Sequence, residues 1–532
     1  MKQLSVLFVA LCCTILAYAQ VNIDGLYYNL DNTQLTAEVT YPAEGETYSG
    51  NIVIPASVTH DAKTYTVTAI YGAFEYLDAL LTVSIPATVT SISDYDFEWC
   101  QALTAINVAA DNANYSSADG VLFNKDKTIL MDYPCGKTGA YSIPSVTTTL
   151  SDEAFCGSTG LTSVSIPASL TTMGWGNFTY CTALMAINVA AENSVYSSLD
   201  GVLFSKDKTS LLVYPGGKTG AYSIPNGTTS IGNNAFCGNS GLTTISFPAS
   251  IKKIADWAFS GSEALTSVVV PEWIDSIGEG AFDQCKALAS LTLNNGVRFI
   301  GELAFSECSV LPEINVPASV DSIGHSAFRF GDEMTAINVD ESNTKYCSVD
   351  GVLFNKDKTR LIQYPCGKAG AYSIPATTIR MDGSAFWQAY KLTAVVIPNS
   401  VIEIPRYAFN DCTAMTSIII GSGVTHIGER GLYNCTGLES ITCYAVTPPT
   451  MDYAAIWNVD TNIPLYVPAE SVAAYSNALY WRDFHNIHAI VPTAFDGVQP
   501  TCVDTARKLL RNGQIIILHE GKHYNLLGTQ LK

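Results

Sequence analysis

Apolar and polar positions along this chain repeat at a fixed spacing. An Ala-Phe pair, or its equivalent, recurs mostly every 23 residues, and three steps measure 58 residues, which is 23 plus 35. The pattern predicts about twelve coils, three of them followed by an insert of constant length. The predicted repeat core comprises Phe74, Phe97, Phe155, Phe178, Phe236, Phe259, Phe282, Phe305, Phe328, Phe386, Phe409 and Leu432.

One coil, DSIGEGAFDQCKALASLTLNNGV, explains the repeat physically. Ile277, Phe282 and Leu288 point inward, and Leu291 and Leu293 alternate with the period of a short strand. A single coil buries too little apolar surface to be stable alone, so consecutive coils must stack around a shared core. We therefore predict a mainly β solenoid with a parallel sheet and short helical turns.

The three inserts resemble one another closely. Each carries a DGVLF segment and a Lys-Asp-Lys turn between two apolar stretches, which predicts a β-hairpin that projects from the solenoid. The predicted inserts are about 109–143, 190–224 and 340–374. Their charged tips are solvated turns in one interpretation and contact points in another.

The two ends differ from the coils. Lys2, the apolar run of 4–16 and the Ala17-Tyr18-Ala19 cleavage pattern predict a signal peptide that leaves Gln20 at the mature N-terminus. A lipoprotein on Cys12 or Cys13 is the alternative. The predicted organisation is a signal peptide at 1–19, an N-terminal β cap at 20–66, the solenoid at 67–443, a C-terminal cap with a strand and a helix at 444–490, a linker at 491–502 and a β-hairpin tail at 503–532.

Composition narrows the functional classes. Among 532 residues, 48% are hydrophobic and 14% are charged, and the formal net charge is −20. Such a chain is folded, but it lacks the clustered cations that nucleic acids or anionic membranes attract. No segment after the first twenty residues has the length and apolarity of a transmembrane helix.

The motifs SIGxxAFxxCxxLxxIxIPxxV, DGVLFNKDKT, ITCYAVTPPT and LYVPAESVAAY resemble those of BspA-like leucine-rich-repeat proteins, from about Asp24 to Ile490. The resemblance implies an exported surface protein, and some members are adhesins for matrix proteins or other bacteria. It implies no catalytic residues and no common ligand. The tail is similar to those of exported proteins from Gram-negative gut and oral bacteria, so a sorting or anchoring role stands beside a plain terminal hairpin.

Metal and nucleotide motifs have structural interpretations. His519-Glu520-Gly521-Lys522-His523 matches a zinc-protease pattern, but strand-like runs flank it and Gly521 marks a turn, whereas zinc binding needs both histidines on one helix. For His485 and His488, packing and surface hydrogen bonds are the main interpretation, and a metal-binding pair is a remote alternative. Gly136-Lys137-Thr138 and Gly217-Lys218-Thr219 lack the first glycine of a phosphate-binding loop. We predict no cofactor and no metal.

Cysteines recur three residues after the coil Phe, which indicates a small buried ladder position. Only Cys285/Cys308 and Cys412/Cys435 fall on consecutive coils, and whether either pair forms a disulfide stays open. The full set is Cys100, Cys181, Cys285, Cys308, Cys412 and Cys435.

The register of the strands assigns an outward row without ionisable side chains, which argues against general acid–base catalysis there. The row is Ser84, Asn107, Ser165, Asn188, Ser246, Val269, Thr292, Asn315, Asn338, Val396, Ile419 and Thr442. It is either a candidate binding face or a set of small residues that solvate the sheet. The leading hypothesis is surface adhesion to a matrix or bacterial protein, the alternative is glycan binding in the envelope, and a polysaccharide-acting enzyme is remote.

Overall fold

The computed structural model describes residues 20–490, together with the backbone of 507–511, 514–519, 522–524 and 530–531. The predicted signal peptide and the predicted linker lie outside these residues. The described chain forms two compact units. The first comprises the residues up to 207 together with 213–218, and the second comprises 208–212 and the residues from 219 onward. Both are built from short strands, with almost no helix.

In the first unit, an N-terminal sheet precedes the coils, and its order in space is first, second, third, fifth and fourth strand. Its strands are Val21–Ile23, Leu26–Asp31, Thr36–Thr40, Ser57–His60 and Lys63–Ile70. Six further strands form the long parallel ladder of this unit, in two hydrogen-bonded groups. These are Gly50–Val53, Leu80–Ile85, Ala105–Val108, Gly139–Ser142, Leu161–Ile166 and Ala186–Val189.

The second unit carries twelve ladder strands, in three hydrogen-bonded groups. They are Gly220–Ser223, Leu242–Ser246, Ser267–Val270, Ser290–Leu293, Glu313–Val316, Ala336–Val339, Gly370–Ser373, Leu392–Val396, Ser417–Ile420, Ser440–Cys443, Pro464–Val467 and Asn486–Ala489.

A second set of parallel strands, two residues each, closes the coils on another side, and the second residue of each strand is Ile, Leu or Met. In the first unit these are Ser91–Ile92, Thr149–Leu150 and Thr172–Met173. In the second unit they are Ser230–Ile231, Lys253–Ile254, Ser276–Ile277, Phe299–Ile300, Ser322–Ile323, Arg380–Met381, Glu403–Ile404, His426–Ile427 and Thr450–Met451.

The inserts consist of three short strands each, followed by a strand of the ladder. In the first, Tyr115–Ala118, Val121–Asn124 and Ile129–Asp132 form an antiparallel meander. The corresponding strands are Tyr196–Leu199, Val202–Ser205 and Ser210–Val213, and then Tyr346–Val349, Val352–Asn355 and Arg360–Gln363. The Asp119-Gly120 turn has positive φ at both residues, 51° and 74°, as the commonest two-residue hairpin requires.

The two units together therefore have about 18 turns instead of about twelve. The difference arises because each insert does more than project: its GAYS segment pairs with the next coil, as Tyr141 does with Val164. Further turns come from Gly50–Val53 before the first coil and from the two strands after the last.

The core follows the stacked Phe positions. All twelve are buried, with relative exposures of 0–2%. Neighbouring rings stack face to face, with centroid distances such as 4.6 Å for Phe236–Phe259 and 4.8 Å for Phe155–Phe178. Burial of one such ring contributes about 1.5–3 kcal/mol, so the column adds to the stability of each unit together with the aliphatic side chains around it.

The C-terminal cap differs from the predicted continuous helix. Only Ala469–Ser471, Val472–Tyr475 and Trp481–Asp483 are helical, the first and last as 3-10 turns. The indole Nε1 of Trp481 donates to the carbonyl of Pro449 at 2.7 Å, and the hydroxyl of Tyr475 donates to the carbonyl of Ala445 at 2.8 Å. Both rings are buried, and the helix ends at Tyr475; Tyr480, with a φ of 65°, precedes the separate turn that carries Trp481.

The described tail backbone forms four antiparallel strands, Arg507–Arg511, Gln514–His519, Lys522–Tyr524 and Gln530–Leu531, where the sequence predicted one hairpin. Leu518 pairs with His523 across two of them. The two histidines of the zinc-protease pattern therefore lie on antiparallel strands. Zinc-protease chemistry requires both of them on one helix.

Candidate binding surface on the strand ladder

The ladder aligns the outward row predicted from the sequence. In the first unit, Ser84 pairs with Asn107 and Ser165 with Asn188. In the second, Val269 pairs with Thr292, Asn315 with Asn338, Val396 with Ile419, and Ile419 with Thr442. Asn107, Ser165, Asn188, Ser246, Val269, Thr292 and Asn315 are exposed, and the other members of the row are partly buried. Adjacent strands lie about 4.8 Å apart, so the side chains form closely spaced rows.

The row also contains positions that the 23-residue spacing could not reveal. The insert strands contribute Ser142, Ser223 and Ser373, which pair with Ser165, Ser246 and Val396. All three are exposed serines, so they extend the neutral hydrogen-bonding surface. The signal was the recurrent GAYS segment, which the sequence analysis had assigned to the inserts.

The row ends differently in the two units. Val53, 70% exposed, pairs with Ser84 at one end of the first unit. In the second unit, Thr442 pairs with Tyr466 and Tyr466 with His488, whose rings lie 5.8 Å apart. The structure therefore places His488 at the end of the row, and His485 only in the preceding turn.

A carboxylate lies beside the row in the second unit. Asn315 donates to Oε1 of Glu313 at 3.3 Å, and Asn338 donates to Oε2 of Glu313 at 3.2 Å and to Oδ1 of Asn315 at 3.1 Å. Sequence reasoning missed this group because Glu313 lies two residues before the outward position. The amides hold this single carboxylate, and one acid without a partner acid or base cannot perform paired acid–base chemistry.

The cysteine position has a specific hydrogen-bonding role. The thiol Sγ lies 2.6 Å from the Phe74 carbonyl oxygen at Cys100 and 3.1–3.3 Å from the corresponding carbonyls at Cys285, Cys308, Cys412 and Cys435. In another coil, the hydroxyl of Ser262 donates to the carbonyl of Phe236 at 3.0 Å. All twelve cysteines among the described residues are free thiols, so neither consecutive pair is a disulfide in this structure. Burial raises the pKa of the Cys308 thiol well above its usual range, which keeps it a donor.

The lysines of the inserts bind backbone carbonyls. Lys125, Lys206 and Lys356 fold back onto the loops that open the inserts, with distances of 2.9 Å from Lys206 Nζ to the Ala191 oxygen and 3.0 Å from Lys356 Nζ to the Glu341 oxygen. Lys137 Nζ donates to the carbonyl of Asp119 at 2.7 Å, so the lysine of the Gly-Lys-Thr segment holds the hairpin turn. These contacts favour the structural interpretation of both motifs.

A carboxyl cluster in the first unit was not foreseen. Burial, followed by the neighbouring Glu153, raises the pKa of Glu98 to about 9, and burial raises the pKa of Asp132 to about 7. Perturbed carboxyls are typical of active sites but also occur in structural clusters. The space beside Asp132 and Asp96 measures about 30 Å³, enough for one water and far below the volume of a substrate site.

Within the residues that the structure describes, no three His, Cys, Asp or Glu side chains are grouped so that they could hold a metal ion. None of the helices in that part of the chain is long and apolar enough to cross a membrane.

Comparisons with known proteins agree with the repeat analysis. The model of the BspA type leucine rich repeat region matches in six copies, over 67–129, 131–209, 217–345 and 364–454. No curated protein matches significantly.

Solved structures of bacterial leucine-rich-repeat proteins are similar at low identity. A leucine rich cell surface protein from Faecalibacterium prausnitzii is 21% identical, with 91% of this chain and 97% of that chain covered and a TM-score of 0.36. A leucine-rich repeat protein from Bacteroides ovatus is 20% identical over 88% and 100%, with a TM-score of 0.35. The pneumococcal vaccine antigen PcpA is 17% identical over 89% and 99%, with a TM-score of 0.36. With the family model matching more than half of its residues, the chain belongs to the BspA-type leucine-rich-repeat family.

Proposed function

We propose that this protein is exported, displayed at the cell surface, and binds a protein ligand of the host matrix or of another bacterium through the strand ladder. The observation that carries the proposal is the in-register outward row of each unit, whose members are mainly Asn, Ser and Thr. Leucine-rich repeats are typical of protein-interaction modules, and the family membership supports the same class.

The chemistry of the row suits adhesion. Amide and hydroxyl side chains both donate and accept hydrogen bonds, so they match the backbone and polar side chains of a protein partner. Each contact is weak, but a row repeated along many turns allows several contacts at once, and such contacts add through effective concentration. Small neutral side chains also give partners close access to the sheet despite the net charge of −20.

The organisation of the chain is part of the proposal. The signal peptide at 1–19 directs export, 20–66 and 444–490 cap the coils, and the inserts stiffen the stack by adding buried polar contacts. We propose no catalytic role, because none of the predicted row positions carries an acid or base, the single carboxylate beside the row is held by amides, and the perturbed carboxyls adjoin a space of only about 30 Å³.

Arginine substitutions in the row test this function. Mature protein, its Ser165→Arg/Asn188→Arg variant and its Asn315→Arg/Asn338→Arg variant are compared by biolayer interferometry against purified extracellular-matrix proteins and bacterial surface proteins. The controls are Thr172→Arg and Ser322→Arg, which lie exposed on the short strands instead. We expect binding to be at least about ten-fold weaker for one or both row variants, because each arginine is too large for the contact and would lose its hydration there. Binding by the control variants should weaken by less than about two-fold. Equal losses in all variants, or binding only to glycans, would contradict the proposal.

The tail is tested separately. We propose that 503–532 directs sorting or anchoring, and its deletion with cell fractionation should move the protein from the surface to the periplasm or medium. Unchanged surface display of the truncated chain would exclude this role without affecting the proposed binding function.

A further inference from the structure

A second surface lies on the outer loops of the second unit, away from the ladder residues. In each coil the residue two positions after the core Phe or Leu has positive φ, and in most coils the N–H of that residue donates to a backbone carbonyl of the next turn. Glu307 does so with φ 55° and a bond of 2.9 Å to Arg329, and Gln388 with φ 58° and a bond of 2.8 Å to Asn410. The repeated backbone geometry therefore places successive side chains side by side along this edge.

The third insert opens a groove in that edge. Its turn, 364–367, lacks the outer loop of a regular coil. The N–H of Gly367 donates to the carbonyl of Met334, and the N–H of Tyr364 donates to the carbonyl of Ala385. The turn therefore lies between the coil that contains Met334 and the coil that contains Ala385. The resulting groove has a volume of about 440 Å³, within the range of small-ligand sites. Phe330, Tyr390, Glu307, Ser309, Asp332 and Gln388 line it.

The corresponding edge of the first unit is bridged. Gln101 and Thr159 occupy the positions equivalent to Asp332 and Tyr390. There, Gln101 donates to the carbonyl of Gly157 at 3.2 Å, and Thr159 donates to Oε1 of Gln101 at 3.2 Å. The groove is therefore not a necessary consequence of the insert, because different side chains at the same positions bridge the neighbouring loops.

The aromatic rings in the groove are held in place. Trp387 packs edge-on against Phe330, with a centroid distance of 5.2 Å and an interplanar angle of 85°. The guanidinium of Arg329 lies 4.2 Å from the centroid of the same ring. Tyr390 remains 40% exposed. An exposed ring beside a fixed ring is a platform for an apolar ligand face such as the C–H face of a pyranose.

The charges around the groove are nearly balanced. Lys286 lines it and pairs with Glu263 at 2.7 Å, while Lys391 pairs with Glu333 at 3.2 Å. In the described chain, no basic side chain lies within ion-pair distance of the Glu307 or Asp332 carboxylates. These carboxylates disfavour an anionic ligand, and Lys286 with Arg329 disfavours a strongly cationic one, so a neutral ligand rich in hydroxyl groups is the best match.

We propose that this groove binds a neutral saccharide. Tyr390 stacks against the sugar ring and Phe330 borders it, the carboxylates of Glu307 and Asp332 accept hydrogen bonds from hydroxyl groups, and the amide of Gln388 donates and accepts. Planar carboxylate and amide groups can bind two neighbouring hydroxyls at once. The site extends the proposed function, since it lies on a different surface and recognises a different class of ligand.

The test uses mature full-length protein on an array that carries neutral, sialylated and sulfated oligosaccharides, with lysine-rich and arginine-rich peptides as a further arm. The strongest neutral oligosaccharide is then titrated by calorimetry. We expect binding to neutral oligosaccharides, weakened about ten-fold or more by Tyr390→Ala and also weakened by Asp332→Asn and Gln388→Ala. Thr413→Ala, at the position of Tyr390 in the next coil, is the matched control and should bind as the original chain does.

The outcomes separate the possibilities. Binding only to sialylated or sulfated glycans, only to cationic peptides, or to no oligosaccharide would overturn the proposal. So would neutral binding that Tyr390→Ala and Gln388→Ala leave unchanged while circular dichroism shows folded protein. The Asn315→Arg/Asn338→Arg variant should keep saccharide binding, so a failure of this site and a failure of the ladder as an adhesive surface give different results.

Discussion

The first and third inserts share one buried polar framework and differ in what they bury beside it. In the first, Asn112 donates to the carbonyls of Pro86 and Val89 and accepts from the N–H groups of Asn114 and Tyr115, at 2.8–3.0 Å. In the third, Asn343 makes the same four bonds at 2.8–3.0 Å. Both asparagines are completely buried.

The inserts differ on their last strand. The third carries Gln363, whose amide donates to the carbonyls of Tyr364 and Ala385 at 3.3 Å. The first carries Asp132 at the same position, and its Oδ1 is buried without a hydrogen-bond partner. An amide can donate to buried carbonyls and an ionised carboxylate cannot, so the same framework is satisfied in one insert and strained electrostatically in the other.

The largest effect should come from the shared framework. Asn112→Ala and Asn343→Ala each remove four buried hydrogen bonds and leave two N–H groups and the carbonyl of Val89 or Val320 without their partner, so each should lower the free energy of unfolding by about 3–5 kcal/mol. Guanidinium denaturation followed by circular dichroism measures the loss. Asn114→Ala, an exposed neighbour, should change it by less than about 0.5 kcal/mol. Equal losses of stability in Asn112→Ala and Asn114→Ala would show that the buried framework does not stabilise the insert specifically.

The next effect depends on pH. Burial, followed by Asp96, raises the pKa of Asp132 to about 7, above the value of about 3.9 for an unfolded chain. The folded state therefore binds the proton more tightly, and stability falls as pH rises from about 4 to 7. Asp132→Asn should be more stable than the original chain by about 2–4 kcal/mol at pH 8 and equal to it at pH 4.

Denaturation midpoints measured between pH 4 and 9 check this prediction. A residual pH dependence should persist toward pH 9 in the variant, because burial and the neighbouring Glu153, which contribute most to the raised pKa of Glu98, remain when the smaller contribution of Asp132 is removed. A stability difference that is the same at every pH would contradict the proposed protonation of Asp132.

The sequence predicted the regular parts of this fold because regularity is a local signal. The spacing of Phe282 and the alternation of Leu291 and Leu293 define the stacking direction and the outward row. The role of the inserts as further turns was missed, since GAYS carries only one large apolar residue and its strand is recognisable only by its pairing with the next coil.

Other features depended on contacts that no spacing reveals. Asn112, Asn193 and Asn343 stand 81 and 150 residues apart, and only the structure shows that each binds the coil before it. The groove beside Tyr390 was missed for a related reason: it arises where a regular outer loop is absent. The capping helix was overpredicted because the helical preference of 469–484 yields to the burial of Tyr475 and Trp481.

The comparison can also be inverted. Gln363→Glu places a carboxylate where the first insert has Asp132, removes two donated hydrogen bonds and buries an acid. At pH 8 it should lower the stability by about 2–3 kcal/mol, and the loss should shrink as the pH falls to 4. The control Gln388→Glu changes the same residue type on the outer edge and should cost less than about 0.5 kcal/mol. A loss that does not vary with pH would mean that shape, and not charge, distinguishes the two inserts.

The smallest effect concerns the ion pair that only the third insert has. Arg360 binds Asp382 through two nitrogens, at 2.5 and 2.6 Å, where the first insert has Ile129 and Ser151. The arginine side chain is 44% exposed, so solvent screens much of the attraction. Arg360→Met keeps the apolar stem and should lower the free energy of unfolding by about 0.5–1 kcal/mol in low salt, less in 1 M salt. Ile129→Met is the matched change in the first insert and should show no salt dependence. If Arg360→Met instead cost as much as Asn343→Ala, the pair would belong to the framework and the two inserts would differ in structure as well as in charge.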